Sequence, residues 1–277
     1  MRLKFAKMHG LGNDFVVIDA VNQHFHLTPE RARQLASRRH GVGCDQILLI
    51  EEPENADVDF NFRIVNADGG EVEQCGNGAR CFALFVRQQG LTDKTSIRVQ
   101  TSGALMTLTI AGDDTVTVDM GIPVFEPRRI PFIAQKKRKN YELGINGSTV
   151  RIAALALGNP HAVQRVDDVE TAPVSSLGPL IESHPRFPNR VNAGFMQTVD
   201  RNRLRVRVYE RGVGETMACG SGACAAVVAG REWGVVNEKV TVELRGGSLA
   251  VQWLGREEPV LMTGPATHVF NGEIDLE

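Results

Sequence analysis

GEVEQCGNGA, residues 70–79, returns as GETMACGSGA, residues 214–223. Identity falls at Gly70/Gly214, Glu71/Glu215, Cys75/Cys219, Gly76/Gly220, Gly78/Gly222 and Ala79/Ala223, an offset of 144 residues. A second match, Leu11-Gly12-Asn13 against Leu157-Gly158-Asn159, is offset by 146 residues. Two matches in one order, half a chain apart, point to duplication of one structural unit, although two copies are too few for a solenoid. After C-G-x-G each copy becomes apolar on every side, Ala79 to Val86 and Ala223 to Ala229, the pattern of a buried helix. Gly90 and Gly230 are the expected C-terminal caps.

Strand patterns fill the rest. Ser96–Gln100, Leu105–Ile110, Thr115–Met120, Leu204–Tyr209 and Val240–Leu244 alternate apolar with polar residues and are rich in β-branched side chains. The expected fold class is α/β (α+β): two pseudo-symmetric domains, each a curled mixed or antiparallel sheet wrapped around a central helix.

A helix N-terminus exposes unpaired amide groups and the positive end of the dipole, so it suits an anion. A cysteine just before it should have its thiolate stabilised, lowering the pKa from about 8.5. Each half therefore pairs one anion site with one tuned thiol, Cys75 or Cys219. A lone C-G-x-G reads as a glycine turn before a core helix; repetition of the thiol with the glycines favours chemistry. Inverting a stereocentre that bears an acidic C–H requires proton removal on one face and return on the other. A thiol from each of two domains closing on one substrate supplies both, while the helix N-termini stabilise the charge developing on the adjoining carboxylate. This is the chemistry of a cofactor-independent racemase or epimerase.

NADGGEVEQCGNGARC and ERGVGETMACGSGAC, with MHGLGNDF near the start and LGNPH at 157–161, closely resemble the diaminopimelate epimerase family, and the resemblance runs to TGPATHVF at 263–270. It implies interconversion of LL- and meso-2,6-diaminopimelate, on the route to lysine and peptidoglycan, with no cofactor and no metal. It implies domains at 1–119 plus 265–277 and at 120–264. Cys75 and Cys219 match the family's catalytic thiols, with Cys75 acting on the LL isomer and Cys219 on the meso. Gly76-Asn77 and Gly220-Ser221 match the helix-start amides that hold the reacting carboxylate. His161 and Glu210 match residues that tune the thiols. Asn13, Gln46, Asn66, Asn159, Asn192, Glu210 and Arg211 match the substrate-binding set, Arg211 being suited to a bidentate hold on the distal carboxylate. At 270 Phe stands where many members carry a Tyr associated with the dimer interface; a homodimer is still implied.

Composition excludes other classes. The 277 residues are 42% hydrophobic and 23% charged, with formal charge −2. That is ordinary globular composition, without the basic surface that nucleic acid or anionic lipid selects. The basic run Lys136–Lys139 reads as a solvated loop. MRLKFAKMHGLGND has no apolar leader core, and no stretch approaches the roughly 18 apolar residues of a membrane span, so a cytoplasmic protein is expected. Five cysteines without a two-residue knuckle argue against a disulfide framework or zinc site; Cys44, Cys81 and Cys224 read as buried hydrophobes. The competing readings are a proline or hydroxyproline racemase of the same fold, and a non-catalytic amino-acid-binding or thiol redox protein.

Overall fold

The computed structural model describes residues 2–72, 75–103 and 105–276. The chain divides into two compact units, Met1–Asp119 with Thr263–Glu277, and Met120–Met262.

The first unit runs β1 (Arg2–Gly10), β2 (Asn13–Asp19), α1 (Pro29–Ala36), β3 (Gln46–Glu51), β4 (Phe60–Asn66), β5 (Glu71–Val72), α2 (Gly76–Gln88), β6 (Ser96–Gln100), β7 (Leu105–Ile110) and β8 (Val116–Asp119). β1 and β2 form a hairpin whose two-residue turn places Leu11 at φ 55° and Gly12 at φ 87°, the doubly left-handed turn that matches strand twist. β2 then pairs parallel to β3 through the α1 crossover, β3 and β4 are antiparallel, and β4 pairs with β5 and, in parallel, with β6. β6, β7 and β8 complete an antiparallel run.

The second unit repeats that order: β9 (Tyr141–Ile145), β10 (Ser148–Leu157), β11 (Asn159–Arg165), α3 (Val174–Glu182), β12 (Asn192–Asp200), β13 (Arg203–Glu210), β14 (Gly214–Glu215), α4 (Gly220–Glu232), β15 (Lys239–Leu244), β16 (Gly247–Gln252) and the start of β17 (Leu261–Gly264), whose last two residues are counted with the first unit. The pairing repeats too, with the β10–β11 hairpin, a parallel β11–β12 pair across α3, antiparallel β12–β13, and β13 parallel to β15. Each unit adds one strand to its first: β9 beside β10, and the final strand β18 (Thr267–Asp275) beside β1.

Burial explains why the two long helices carry little polarity. Every residue of α2 from Gly76 to Val86 is buried, and Phe82 meets Phe60 and Phe62 at ring distances of 5.8 and 4.7 Å. In α4 Gly220 and Gly222–Gly230 are buried. Such helices are held by packing on all sides rather than by one amphipathic stripe. Cys44, Cys81 and Cys224 pack in the interior. Burial pushes the Cys44 thiol up to about 11 and Cys81 higher still. The Lys136–Lys139 run lies in an exposed loop, where Lys139 Nζ donates to the Glu232 carbonyl at the end of α4 (2.9 Å).

One cap differs from expectation. Gly90 (φ 68°) does close α2, with Gly90 N–H donating to Arg87 O (3.1 Å) and Leu91 N–H to Val86 O (2.9 Å). Gly230, however, lies inside α4, and the left-handed cap is Gly234 (φ 73°). Gly230 instead accepts the Val235 N–H (2.9 Å), and a Cβ there would come within 2.9 Å of Val236 Cγ2, so close approach of the returning chain requires the glycine.

Candidate active site

Both predicted thiols are N-caps. Cys75 precedes α2 in extended conformation and its Sγ accepts the Gly78 N–H at 3.4 Å; Cys219 does the same for α4 with Gly222, also at 3.4 Å. The missing side chains are part of the geometry: a Cβ on Gly222 would lie 2.7 Å from Val208 Cγ2 and 3.1 Å from Cys219 Sγ.

Register shows that the surrounding polar residues are duplicated as well. In the first unit Phe15 stands beside Gln46, which faces Asn66 across β3–β4 and donates Nε2–H to its Oδ1 (2.8 Å). In the second, His161 stands beside Asn192, one residue before the Ala193–Tyr209 pair, and Glu210 follows Tyr209. The sets Asn13, Gln46, Asn66, Cys75, Asn77 and Asn159, Asn192, Glu210, Cys219, Ser221 therefore occupy equivalent positions. Both turn asparagines reach the residue two past the thiol: Asn77 Nδ2 donates to Asn13 Oδ1 (3.3 Å), and Asn159 Nδ2 to Ser221 Oγ (3.3 Å). Cys75 Sγ lies 3.8 Å from Asn13 Oδ1, and Cys219 Sγ 3.7 Å from Ser221 Oγ.

The copies differ in charge. Where the first unit has Phe15 and Asn66, the second has His161 and Glu210. Burial pushes the Cys219 thiol well above its ordinary range, and the Glu210 carboxylate, to which the thiol is hydrogen-bonded, pushes it further. This overturns for Cys219 the expectation of a lowered pKa. The helix-start bond from Gly222 favours the thiolate, but desolvation and a neighbouring anion outweigh it. Glu210 also accepts the Thr216 hydroxyl. His161 is buried and uncharged, its pKa brought down to about 3 by desolvation and then by Arg211. Its Nε2–H donates to Asn159 Oδ1 (2.7 Å), so it connects to Cys219 through Asn159 and Ser221.

Asn192 is only 3% exposed and both ends of its amide are engaged: Nδ2 donates to Pro160 O (3.1 Å) and Oδ1 accepts the Arg211 N–H (2.9 Å). Arg211 itself is exposed. Gln46 Oε1 is buried with no hydrogen-bond partner among the described residues. Phe270 lies apart on β18, 46% exposed and edge-on to Phe5 (6.1 Å).

Sequence reasoning passed over two features. Arg80, the one charged residue in the Ala79–Val86 run, is fully buried beneath the start of α2; it donates to Gly76 O (3.2 Å), Asn77 Oδ1 (2.9 Å) and Pro265 O (3.0 Å). A lone arginine in a run otherwise apolar was the available signal. The second is the network that fixes the Asn13 turn. Asp14 pairs with Lys7 (2.6 Å) and Arg38 (2.7 Å), and Arg38 reaches Asp45 (2.8 Å), whose Oδ2 accepts Asn13 Nδ2–H (3.0 Å). Burial alone would raise the Asp14 pKa, but hydrogen bonds from Arg38 and Lys7 hold it well below the usual carboxylate range.

Among the described residues no group of three or more His, Cys, Asp or Glu side chains is placed to hold a metal ion, and no helix is long and apolar enough to cross a membrane. The chemistry on offer is proton transfer at two sulfurs, each beside a helix start able to receive an anion.

Comparison with known proteins gives the fold and the family. The fold is shared with a hydroxyproline epimerase from Agrobacterium vitis (TM-score 0.73, 14% identity, 99% of this chain and 92% of that one). It is shared equally with a predicted epimerase from Pseudomonas aeruginosa (TM-score 0.71, 14% identity, 99% and 100%). The family model for diaminopimelate epimerase matches residues 5–126 and 153–269. Diaminopimelate epimerase of Thioalkalivibrio sulfidiphilus is 60% identical over 278 residues, covering 100% of both chains. That of Cupriavidus taiwanensis is 60% identical over 283 residues, covering 100% of this chain and 98% of its own. Identity of this depth along the whole length, with the family model matching most of the chain, shows that the chain belongs to the diaminopimelate epimerase family.

Proposed function

We propose that the protein interconverts LL- and meso-2,6-diaminopimelate, supplying lysine and peptidoglycan precursors, with Cys75 and Cys219 as the two acid/base groups. In the LL-to-meso direction Cys75 as thiolate removes the α-proton and Cys219 as thiol delivers one to the opposite face; the roles reverse from the meso side. The amides of Gly76-Asn77 and Gly220-Ser221 hold the reacting carboxylate and stabilise the charge that develops on it. Because thiols supply both proton transfers, the reading needs no pyridoxal phosphate and no metal. Asn13, Gln46, Asn66, Asn159 and Arg211 bind the polar groups of the substrate, Arg211 taking the distal carboxylate.

The observation that carries this reading is the duplicated N-cap sulfur, each with its own turn asparagine at the residue two positions on. The raised Cys219 pKa supports its assignment as the proton donor toward the LL-derived carbanion. A cytoplasmic homodimer completes the proposal, with Phe270, 46% exposed on β18, as the candidate interface residue.

The test is chromatographic separation of diaminopimelate isomers after incubation of LL substrate with reduced protein, beside L-proline and trans-4-hydroxy-L-proline. Meso product with both proline compounds unchanged is expected. Inversion of proline with diaminopimelate untouched would replace this reading by the racemase one.

A further inference from the structure

The turn that presents Arg211 is held from below by side chains. β13 ends at Glu210, Arg211 and Gly212 (φ 74°) reverse the chain, and Gly214 returns to pair with Glu210. Turn N–H groups commonly bond to water or to neighbouring backbone. Here two successive ones enter buried side-chain acceptors: Arg211 N–H donates to Asn192 Oδ1 (2.9 Å) and Gly212 N–H to Glu182 Oε1 (2.9 Å).

Glu182 is an unusual residue for its place. It is the last residue of α3, and its side chain is only 5% exposed. A carboxylate at a helix C-terminus sits at the negative end of the dipole, and burial adds a desolvation cost. Arg190 Nη1 compensates with contacts of 3.1 and 3.3 Å to the two carboxylate oxygens, from a residue held at φ 58°. α3 is also seated tightly on the strand leading into the turn, since a Cβ on Gly178 would come within 2.7 Å of Tyr209 Cβ.

The first unit shows that the fold does not require this arrangement. There the corresponding helix α1 ends in Ala36, the residue that follows β4 is Ala67, and its N–H bonds to the backbone carbonyl of Asp45 (3.2 Å). The copy whose turn carries no cation carries no carboxylate at the helix end. The copy with Arg211 carries both the carboxylate and Asn192.

We propose that Glu182 is a positioning residue for Arg211: its carboxylate, together with Asn192, locks the Arg211–Gly212 turn so that the guanidinium is preorganised for the distal carboxylate of the substrate. This rests on the function proposed above. Locking the turn before binding removes an ordering cost from the substrate's recognition, so Glu182 governs affinity for the non-reacting end and leaves proton transfer at the α-carbon alone.

The experiment measures KM and kcat for LL-diaminopimelate in wild type, Glu182→Ala, Glu182→Gln, Arg211→Ala and the double variant Glu182→Ala/Arg211→Ala. Glu182→Ala should raise KM by about tenfold, the effect of roughly one hydrogen bond's worth of order, with kcat within about threefold of wild type. Glu182→Gln keeps an acceptor for the Gly212 N–H and should recover most of the loss. The double variant should have the KM of Arg211→Ala, because an unanchored turn matters only while it carries the guanidinium. If Glu182→Ala fails to fold by circular dichroism, the Gln variant and its double with Arg211→Ala carry the same comparison. An unchanged KM in folded Glu182 variants while Arg211→Ala raises it, or additive effects in the double, overturns the proposal. No effect of Arg211→Ala on KM contradicts the distal-carboxylate assignment instead, and takes the proposal with it by a separate outcome.

Discussion

Gly222 donates its backbone N–H to Cys219 Sγ across 3.4 Å, so the thiol is itself the cap of the helix behind it. Gly78 and Cys75 stand in the same relation. An acid/base sulfur must be able to hold negative charge, and a helix-start amide is a donor already in place for it. At Cys219 burial and Glu210 oppose that donor and keep the proton on. One fold element is thus used twice, with Phe15 and Asn66 in the first copy where the second has His161 and Glu210.

Gly222→Ala should disable the second sulfur. The new methyl would meet Val208 at 2.7 Å and Cys219 Sγ at 3.1 Å, whereas at Gly78 the nearest atom is the flexible end of Leu48 at 3.1 Å. Overpacking of this kind costs about 1–3 kcal/mol. Urea denaturation and initial rates should show Gly222→Ala less stable and far less active than Gly78→Ala. Wild-type activity in Gly222→Ala would contradict the close-packed cap.

Arg80→Met should destabilise the first unit by about 3 kcal/mol, because it leaves Gly76 O, Asn77 Oδ1 and Pro265 O without their buried donor. Arg80→Lys should recover less than half, an ammonium being unable to reach three divergent acceptors as a planar fork does. Equilibrium unfolding of the two variants measures both effects. Equal stability of Arg80→Met and wild type would remove the structural role assigned here.

His161 contributes to stability above its unfolded pKa of about 6.5 and loses that contribution as pH falls toward its folded pKa of about 3, because only the unfolded chain takes up the proton in between. The loss is up to about 1.4 kcal/mol per pH unit. His161→Phe, which copies Phe15 at the equivalent place, should flatten the acid limb between pH 6 and 4 in urea titrations, at about those bounds. An unchanged slope would mean that another group sets it.

At alkaline pH the sign reverses for the buried thiols. Cys44 keeps its proton to about 11 in the folded state, so its contribution is complete below the unfolded thiol pKa of about 8.5 and is lost as pH rises toward 11. Cys81 and Cys219 act in the same direction. Cys44→Ala should reduce the alkaline slope without abolishing it. A slope identical to wild type would place Cys44 outside the set.

Much of this was legible in the sequence. The duplication, both helix starts and all five named strands appear there to within one residue at each end, because periodicity and the repeat are local signals. The Thr115–Met120 reading overran the strand, which is Val116–Asp119. What stayed hidden depends on non-local pairing. The equivalence of Gln46 with Asn192 and of Asn66 with Glu210 follows from register between distant strands. The raised Cys219 pKa needs the depth of burial, which helix-start logic does not contain. Gly230 was misread because both it and Gly234 lie at the right distance for a cap, and only the packing of Val236 separates them.

The central claim, that two sulfurs exchange the α-proton of diaminopimelate, is tested most directly by following that proton by NMR in D2O with LL substrate and reduced wild type, Cys75→Ala and Cys219→Ala. The account predicts that wild type replaces the α-proton by deuterium as meso product accumulates, and that neither variant forms meso product although both remain folded. An α-proton signal that persists with folded wild type, or full epimerase activity in either variant, would contradict it.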